Sequence, residues 1–175
     1  MPSNAPESIA IVEGDITALD VDAIVNAANR HLVAGAGVCG AIHRAAGPEL
    51  AKACARVGGC PTGEARLTPG FKLKARHVIH AVGPVWQGGD KGEDQLLTGC
   101  YRNSLEIAAA NGIRSIAFPA ISTGIYGYPA DQAAKVAVAT VRETLAADDR
   151  FEKVVFCCFG EPSAALHRVA LETPR

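Results

Sequence analysis

The sequence predicts an α/β sandwich in which helices cover both faces of a largely parallel sheet. Short runs of β-branched residues alternate along the chain with longer segments whose apolar residues recur every three or four positions. Some short runs, such as residues 9–12 and 154–156, are apolar without alternation, which is typical of strands covered on both faces. Strands that alternate with helices build layered folds because each element buries its apolar surface against a neighbour.

Six strands are predicted from these runs, and each run has the length of a single strand. They cover residues 8–13, 23–26, 64–68, 77–82, 115–118 and 153–159.

Helices are predicted where the apolar period lengthens. Residues 94–111 carry one apolar stripe, and residues 129–147 carry another that begins with a proline, a residue suited to a first helical turn. A closing helix is expected over residues 163–171. Residues 37–56 predict a pair of helices interrupted at Gly47-Pro48.

Composition and charge limit the class of protein. Of the 175 residues, 49% are hydrophobic and 20% charged, so the chain can bury enough apolar surface to fold. We expect one domain over residues 8–175 after a flexible lead of residues 1–7. The formal net charge of −1 offers no basic field for nucleic acid, and no apolar run is long enough for a membrane span. The expected protein is a cytoplasmic monomer without a membrane or nucleic-acid partner.

The cysteines and histidines predict no metal or disulfide chemistry. Six cysteines without a secretion signal are more typical of reduced thiols than of a disulfide framework. His43 follows Cys39 by one helical turn, but no further ligands follow at a suitable spacing, so a metal site is not expected. We expect His43 and His80 to be buried and hydrogen-bonded.

Three loops that follow predicted strands carry the residue types of a ligand site. After the first strand, the Asp15 carboxylate either caps the next turn or accepts a hydrogen bond from an amino group such as that of a purine. Residues 26–43 and 118–129 each run from a strand through small residues into a helix. Small residues let backbone amides approach an anion at a helix N-terminus, so two such loops favour one ligand with two phosphates. Tyr126, between glycines, suits a platform for a sugar ring.

Taken together, motifs along nearly the whole chain resemble a MacroD-type macrodomain of the bacterial branch of O-acetyl-ADP-ribose deacetylases and ADP-ribosyl hydrolases. The resemblance implies a three-layer α/β/α sandwich with a mixed, largely parallel sheet, and a reaction without metal or organic cofactor. The motifs are Gly14-Asp15-Ile16, Asn26-Ala27-Ala28-Asn29, Gly40-Ala41-Ile42-His43, Gly59-Cys60-Pro61-Thr62-Gly63, the segment 78–84 and the segment 118–129.

The resemblance also implies how ADP-ribose or O-acetyl-ADP-ribose would be held. The adenine would lie at the first loop and beside an aromatic residue after the last strand. The diphosphate would lie between the two small-residue loops, and the distal ribose beside Asn29 and Tyr126. The ligand-binding residues implied are Asp15, Ile16, Asn29, Gly37, Val38, Ser122, Thr123, Gly124, Ile125, Tyr126 and Phe159.

Two positions depart from the family pattern, and the first is Ala36, where the family usually has a further Gly. Hydrolytic members carry an Asp directly before the Gly-Ala-Ile-His motif, and here that residue is Cys39. The Asp helps to position or deprotonate the attacking water, and general base catalysis is worth roughly 10² to 10⁴ in rate. Hydrolysis would survive if the ligand's own phosphate orients the water, or if Cys39 reacts as a thiolate at a helix N-terminus. Otherwise Cys39 only fills space.

Two functions therefore remain open. The first is a hydrolase, weakened by Cys39, that uses Asn29, Cys39 and Tyr126 to remove acetyl from O-acetyl-ADP-ribose or ADP-ribose from the acidic side chains of modified proteins. The second is a module that binds ADP-ribose without turnover. The glycine-rich segment 85–92 adds a further question, because Trp86 either contacts a substrate protein or is pinned to the surface.

Overall fold

The structure, a computed structural model, describes residues 8–173, and the predicted lead of residues 1–7 lies outside them. Within this range six strands form one sheet in the order β1-β6-β5-β2-β4-β3. β3 is antiparallel to β4, and every other neighbouring pair is parallel. The predicted mixed, largely parallel sheet is confirmed. The strands are β1 (Ile9–Glu13), β2 (Ala23–Ala28), β3 (Ala65–Pro69), β4 (His77–Val82), β5 (Ser115–Phe118) and β6 (Lys153–Cys158).

The predicted helices are also present, and they cover both faces of the sheet. Gly47, with φ of 89°, ends the first helix and precedes the second, which begins at Pro48 as the sequence predicts. A 3₁₀ turn, Ile16–Ala18, follows β1. The helices of the described chain are α1 (Gly37–Ala46), α2 (Pro48–Val57), α3 (Glu93–Ala110), α4 (Ala130–Ala147) and α5 (Glu161–Glu172).

Two apolar clusters, one on each face, hold the three layers together. The cluster under α3, α4 and α5 contains the rings of Tyr101, Phe118 and Phe156, which pack at tilted and edge-on angles with centroids 4.9 to 6.5 Å apart. The cluster under α1 and α2 contains Ile42 and Leu50 and receives the opposite faces of the same strands. Alternate residues of the five parallel strands belong to the two clusters, since successive side chains point to opposite faces.

The cysteines are part of this packing. All six are buried, free thiols, and Cys157 lies in the cluster under α1 and α2, as expected of a small apolar residue in a strand. No α-helix in the described chain is both long and apolar enough to cross a membrane.

Candidate functional site

The carboxyl ends of five parallel strands meet at one edge of the sheet, and the loops and first helical turns that follow them contain every predicted ligand residue. In spatial order, the strands that end there are β1, β6, β5, β2 and β4. Neighbouring strands lie about 4.8 Å apart, so the row spans about 19 Å. Ligands bind beyond the carboxyl ends of strands in sheets of this kind. The row holds Asp15 and Ile16 after β1, Phe159 after β6, Ser122, Thr123, Gly124, Ile125 and Tyr126 after β5, and Asn29, Gly37 and Val38 after β2.

At the β1 end, Asp15 caps the 3₁₀ turn. Its Oδ1 accepts hydrogen bonds from the amide and the hydroxyl of Thr17, at 2.9 and 2.7 Å. These bonds hold the pKa of Asp15 below its usual range. Oδ2 has no protein partner among the described residues, so capping one turn leaves an acceptor for a ligand amino group. The Ile16 side chain lies in the core under α1 and α2 and is almost fully buried.

In the loop after β2, the Asn29 side chain closes its own turn. Its Nδ2 donates to the carbonyl of Val33 at 2.9 Å, and its Oδ1 accepts from the amide of Val33 at 3.1 Å. A ribose hydroxyl at this position would have to share the Asn29 amide with that turn.

The same loop then leads into α1 and packs closely against the first turns of that helix. The N-cap of α1 is Ala36, which has no side chain able to cap the first amides of the helix. Gly40 packs so closely on the loop that a Cβ there would lie 2.3 Å from the carbonyl oxygen of Gly35. Backbone amides rather than side chains therefore form this part of the edge.

Cys39, at the position of the family Asp, faces the loop backbone and a buried polar row. The residue is 6% exposed, and its Sγ donates to the Val33 carbonyl at 3.5 Å. Nδ2 of Asn26 lies 3.8 Å from the same sulfur and 3.1 Å from Nδ1 of His80. On the other side of the ring, Nε2 of His80 lies 2.9 Å from Oγ1 of Thr68. This row links the loop to β2, β4 and β3.

Burial determines the charge of the histidines beneath the loop. It lowers the pKa of His80 to about 4, with a further contribution from His43, so His80 is neutral at pH 7. The expectation that His80 is buried and hydrogen-bonded is confirmed. His43 is buried as well, but the expected hydrogen bond is wrong for its Nε2, which has no partner among the described residues. Among residues 8–173, no group of three or more His, Cys, Asp or Glu side chains is arranged to hold a metal ion.

The loop after β5 is tightly folded and presents large side chains at its tip. Ser122 has a positive φ of 69°, and its carbonyl accepts from the amide of Tyr128 at 2.9 Å. Ile125 is 90% exposed, and Phe159, after the neighbouring strand β6, is 92% exposed. Tyr126 is half-buried. Exposed apolar side chains on adjacent loops form a surface suited to a flat ring such as a base.

The loop after β4, residues 83–92, is pinned, so the second of the two alternatives for Trp86 is the one observed. The Trp86 ring lies 4.7 Å from the ring of Tyr128, and its amide donates to the carbonyl of Tyr126 at 2.8 Å. The carboxylate of Glu93 accepts from the amides of Gln87, Gly89 and Lys91 at 2.8, 3.0 and 2.6 Å.

Glu93 and the row from Asn26 to His80 are the site features that sequence reasoning missed. Burial opposes ionisation of Glu93, but the amide hydrogen bonds outweigh it and lower the pKa of Glu93 to about 2. The sequence did carry a signal that could have identified Glu93, namely an acidic residue in the first turn of a helix directly after a glycine-rich loop. The polar row gave no such signal, because its members are 54 and 12 residues apart.

Known proteins identify the family. The model of the Macro domain family matches residues 25–137. The chain belongs to the macro domain family. A macro domain-containing protein of Chlorobaculum tepidum is 57% identical over 171 residues, which cover 98% of each chain. A protein of Klebsiella pneumoniae named O-acetyl-ADP-ribose deacetylase is 56% identical over 162 residues, covering 90% of this chain and 93% of the relative.

Solved macrodomain structures agree with this fold. An Oceanobacillus iheyensis macrodomain mutant with ADPR is 44% identical, with a TM-score of 0.88 over 93% of this chain and 90% of its own. A Trypanosoma brucei macrodomain in complex with ADP-ribose is 43% identical, with a TM-score of 0.91 over 98% of this macro domain and 72% of its own chain. The resemblance in the sequence motifs is confirmed by both comparisons.

Proposed function

We propose that this macro domain binds ADP-ribose along the row of loops at the carboxyl edge of the sheet. The observation that carries the proposal is the order of that row. An amino-group acceptor on Asp15 lies at the β1 end, two small-residue loops lie in the middle, and Asn29 and Tyr126 lie toward β4. Adenine, diphosphate and distal ribose follow one another in the same order along ADP-ribose. The solved macrodomains with ADPR and ADP-ribose support the choice of ADP-ribose as the ligand.

We further propose that the bound substrate is an ester of ADP-ribose and that the protein hydrolyses it. Relatives named O-acetyl-ADP-ribose deacetylase, at 54 to 56% identity, support this reaction. Water would add to the carbonyl carbon of the ester, and the bond between that carbon and the ribose oxygen would break. The ribose oxygen would take up a proton, and the products would be ADP-ribose and a carboxylic acid. Backbone amides of the two loops would hold the diphosphate, and Asn29 and Tyr126 would orient the ribose.

The environment of Cys39 predicts a slow reaction. The thiol donates its proton to the Val33 carbonyl, so it is not directed at a water in the cleft. No Asp or Glu occurs between residues 23 and 48 to replace it. A phosphate oxygen of the substrate is then the group that orients the water. These same observations favour the second candidate function, a module that binds ADP-ribose without turnover.

The deciding experiment compares the protein with its Cys39→Asp and Cys39→Asn variants. Calorimetry first measures the affinity of each for ADP-ribose. Release of ADP-ribose is then followed over time from O-acetyl-ADP-ribose and from a protein modified on Asp or Glu. We expect slow turnover by the unmodified chain, and a rate higher by about 10² to 10⁴ for Cys39→Asp, since a carboxylate restores the general base. Cys39→Asn, which has a similar shape without the charge, should stay slow.

Each result has a distinct meaning. Turnover by Cys39→Asp alone would make this protein a binding module on a hydrolase scaffold. Turnover by none of the three, with ADP-ribose still bound, would refute hydrolysis of both esters. Absence of ADP-ribose binding would refute the whole proposal.

A further inference from the structure

A cavity of about 320 Å³ opens at the carboxyl end of β4, next to the row of predicted ligand residues. Tyr126 lines one side of it, and residues 83–85 line another. β4 lies next to β2 and on the far side of it from β1, so the cavity continues the row beyond the loop of Asn29. Tyr126 therefore belongs both to the proposed ribose position and to this cavity.

The free charges at the cavity are positive. Arg30 and Lys91 line it, are exposed, and form no salt bridge among the described residues. Glu93 also lines it, but it is 1% exposed and both of its carboxylate oxygens accept backbone amides. Its charge is therefore already matched by the dipoles of its own loop. The cationic side chains of Arg30 and Lys91 therefore remain available to bind a ligand.

The walls of the cavity are held in place before any ligand arrives. Glu93 binds three amides of the loop after β4, including that of Lys91. Trp86 ties this loop to the next one through the hydrogen bond from its amide to the Tyr126 carbonyl. A site whose walls are already ordered loses less conformational entropy when it binds. Thr62 and Gln87 add polar side chains to the lining.

We infer that this cavity receives the polypeptide attached to ADP-ribose, and that Arg30 and Lys91 bind acidic side chains next to the modified residue. The inference rests on the proposed function, in which adenine occupies the β1 end of the row. A group on the distal ribose must then leave toward β4, where the cavity lies. Its volume equals that of about ten waters, far more than an acetyl group fills. Substrate selection thus favours modified acidic segments of proteins.

The test measures affinity, so it does not depend on turnover. Two peptides carry ADP-ribose on one residue through a hydrolysis-resistant amide link, one flanked by Glu and the other by Lys, and free ADP-ribose is the reference. We expect the Glu-flanked peptide to bind roughly 5- to 20-fold more tightly than the Lys-flanked one at low salt, with the difference shrinking as salt screens the charges.

Charge reversal identifies the residues responsible. Arg30→Glu and Lys91→Glu should remove or reverse the preference between the peptides while leaving the Kd for free ADP-ribose within about twofold. Lys135→Glu, on the exposed face of α4, is the matched control with the same change of charge and should keep the preference.

Equal affinity for the two peptides, or a preference insensitive to both reversals, would overturn this inference while ADP-ribose binding stands. If free ADP-ribose itself does not bind, the proposed function fails and this inference fails with it.

Discussion

The carboxylate of Asp15 illustrates how one residue serves both the fold and a ligand. Thr17 occupies Oδ1 through its amide and its hydroxyl, while Oδ2 lacks a protein partner among the described residues. The two interpretations of this residue, a cap and an adenine contact, are therefore compatible. A variant that keeps the cap and removes the second acceptor separates them.

We predict that Asp15→Ala weakens ADP-ribose binding by about 1–3 kcal/mol, the usual cost of losing a charged hydrogen-bond partner. Asp15→Asn should weaken binding to a similar degree, because its amide oxygen can still accept from Thr17 but its NH₂ cannot accept from adenine. Calorimetry gives both affinities, and thermal unfolding checks that the turn is intact. Normal affinity in Asp15→Asn would remove Asp15 from the adenine contact and leave it as a cap.

The side chain of His80 joins three adjacent strands. It lies in β4 and reaches Asn26 of β2 through Nδ1 and Thr68 of β3 through Nε2. The ring is fully buried, and burial lowers its pKa from the usual 6.5 to about 4. Protonation of His80 would therefore destabilise the part of the sheet directly beneath the site.

We predict that stability falls as the pH is lowered from 7 to 4. Between pH 6.5 and 4 the unfolded chain binds a proton at His80 that the folded chain does not, so the free energy of unfolding decreases as the pH falls through this range. The loss from His80 alone is about 3 kcal/mol at pH 4. Urea unfolding at several pH values measures it.

His80→Gln should flatten this pH dependence, because glutamine does not titrate and can still bond to polar neighbours. Part of the slope should remain, since burial also lowers the pKa values of His43 and His167. His31→Gln, at an exposed loop position, is the control and should leave the slope unchanged. A slope that is the same in all three proteins would show that His80 is not the group responsible.

Loops from distant parts of the sequence pack together at one edge of the sheet. Gly83 follows β4 and Ser122 follows β5, and a Cβ on Gly83 would lie 2.1 Å from Oγ of Ser122 and 2.6 Å from Cγ2 of Ile121. The absence of a side chain at residue 83 is what lets these two loops meet. The second small-residue loop and the cavity wall therefore depend on one close approach.

We predict that Gly83→Ala destabilises the fold by about 1–3 kcal/mol, the range for overpacking a tight contact. It should also weaken ADP-ribose binding, because the loop after β5 must move. Gly124→Ala is the matched control for stability in that loop, since a Cβ there meets nothing within 4 Å. Chemical denaturation and calorimetry report the two effects. If Gly83→Ala were as stable as Gly124→Ala, the contact between the loops would not constrain the site.

The sequence alone was enough to predict the elements, because their signals are local. Strand and helix periods, and the break at Gly47-Pro48, depend on residues a few positions apart, and all were confirmed. The family motifs likewise lie within short segments, and the resemblance that they carry was confirmed by the comparisons with relatives and solved structures.

Only the tertiary structure decided which groups meet. Asp15 and Phe159 lie at neighbouring strands although 144 positions separate them in the chain, because β1 pairs with β6. The orientation of the Cys39 thiol, the neutrality of His80 and the pinning of the loop by Glu93 all depend on partners brought together by packing. Local sequence sets the backbone period, whereas burial and long-range contacts set the hydrogen bonds and charges on which the proposed chemistry depends.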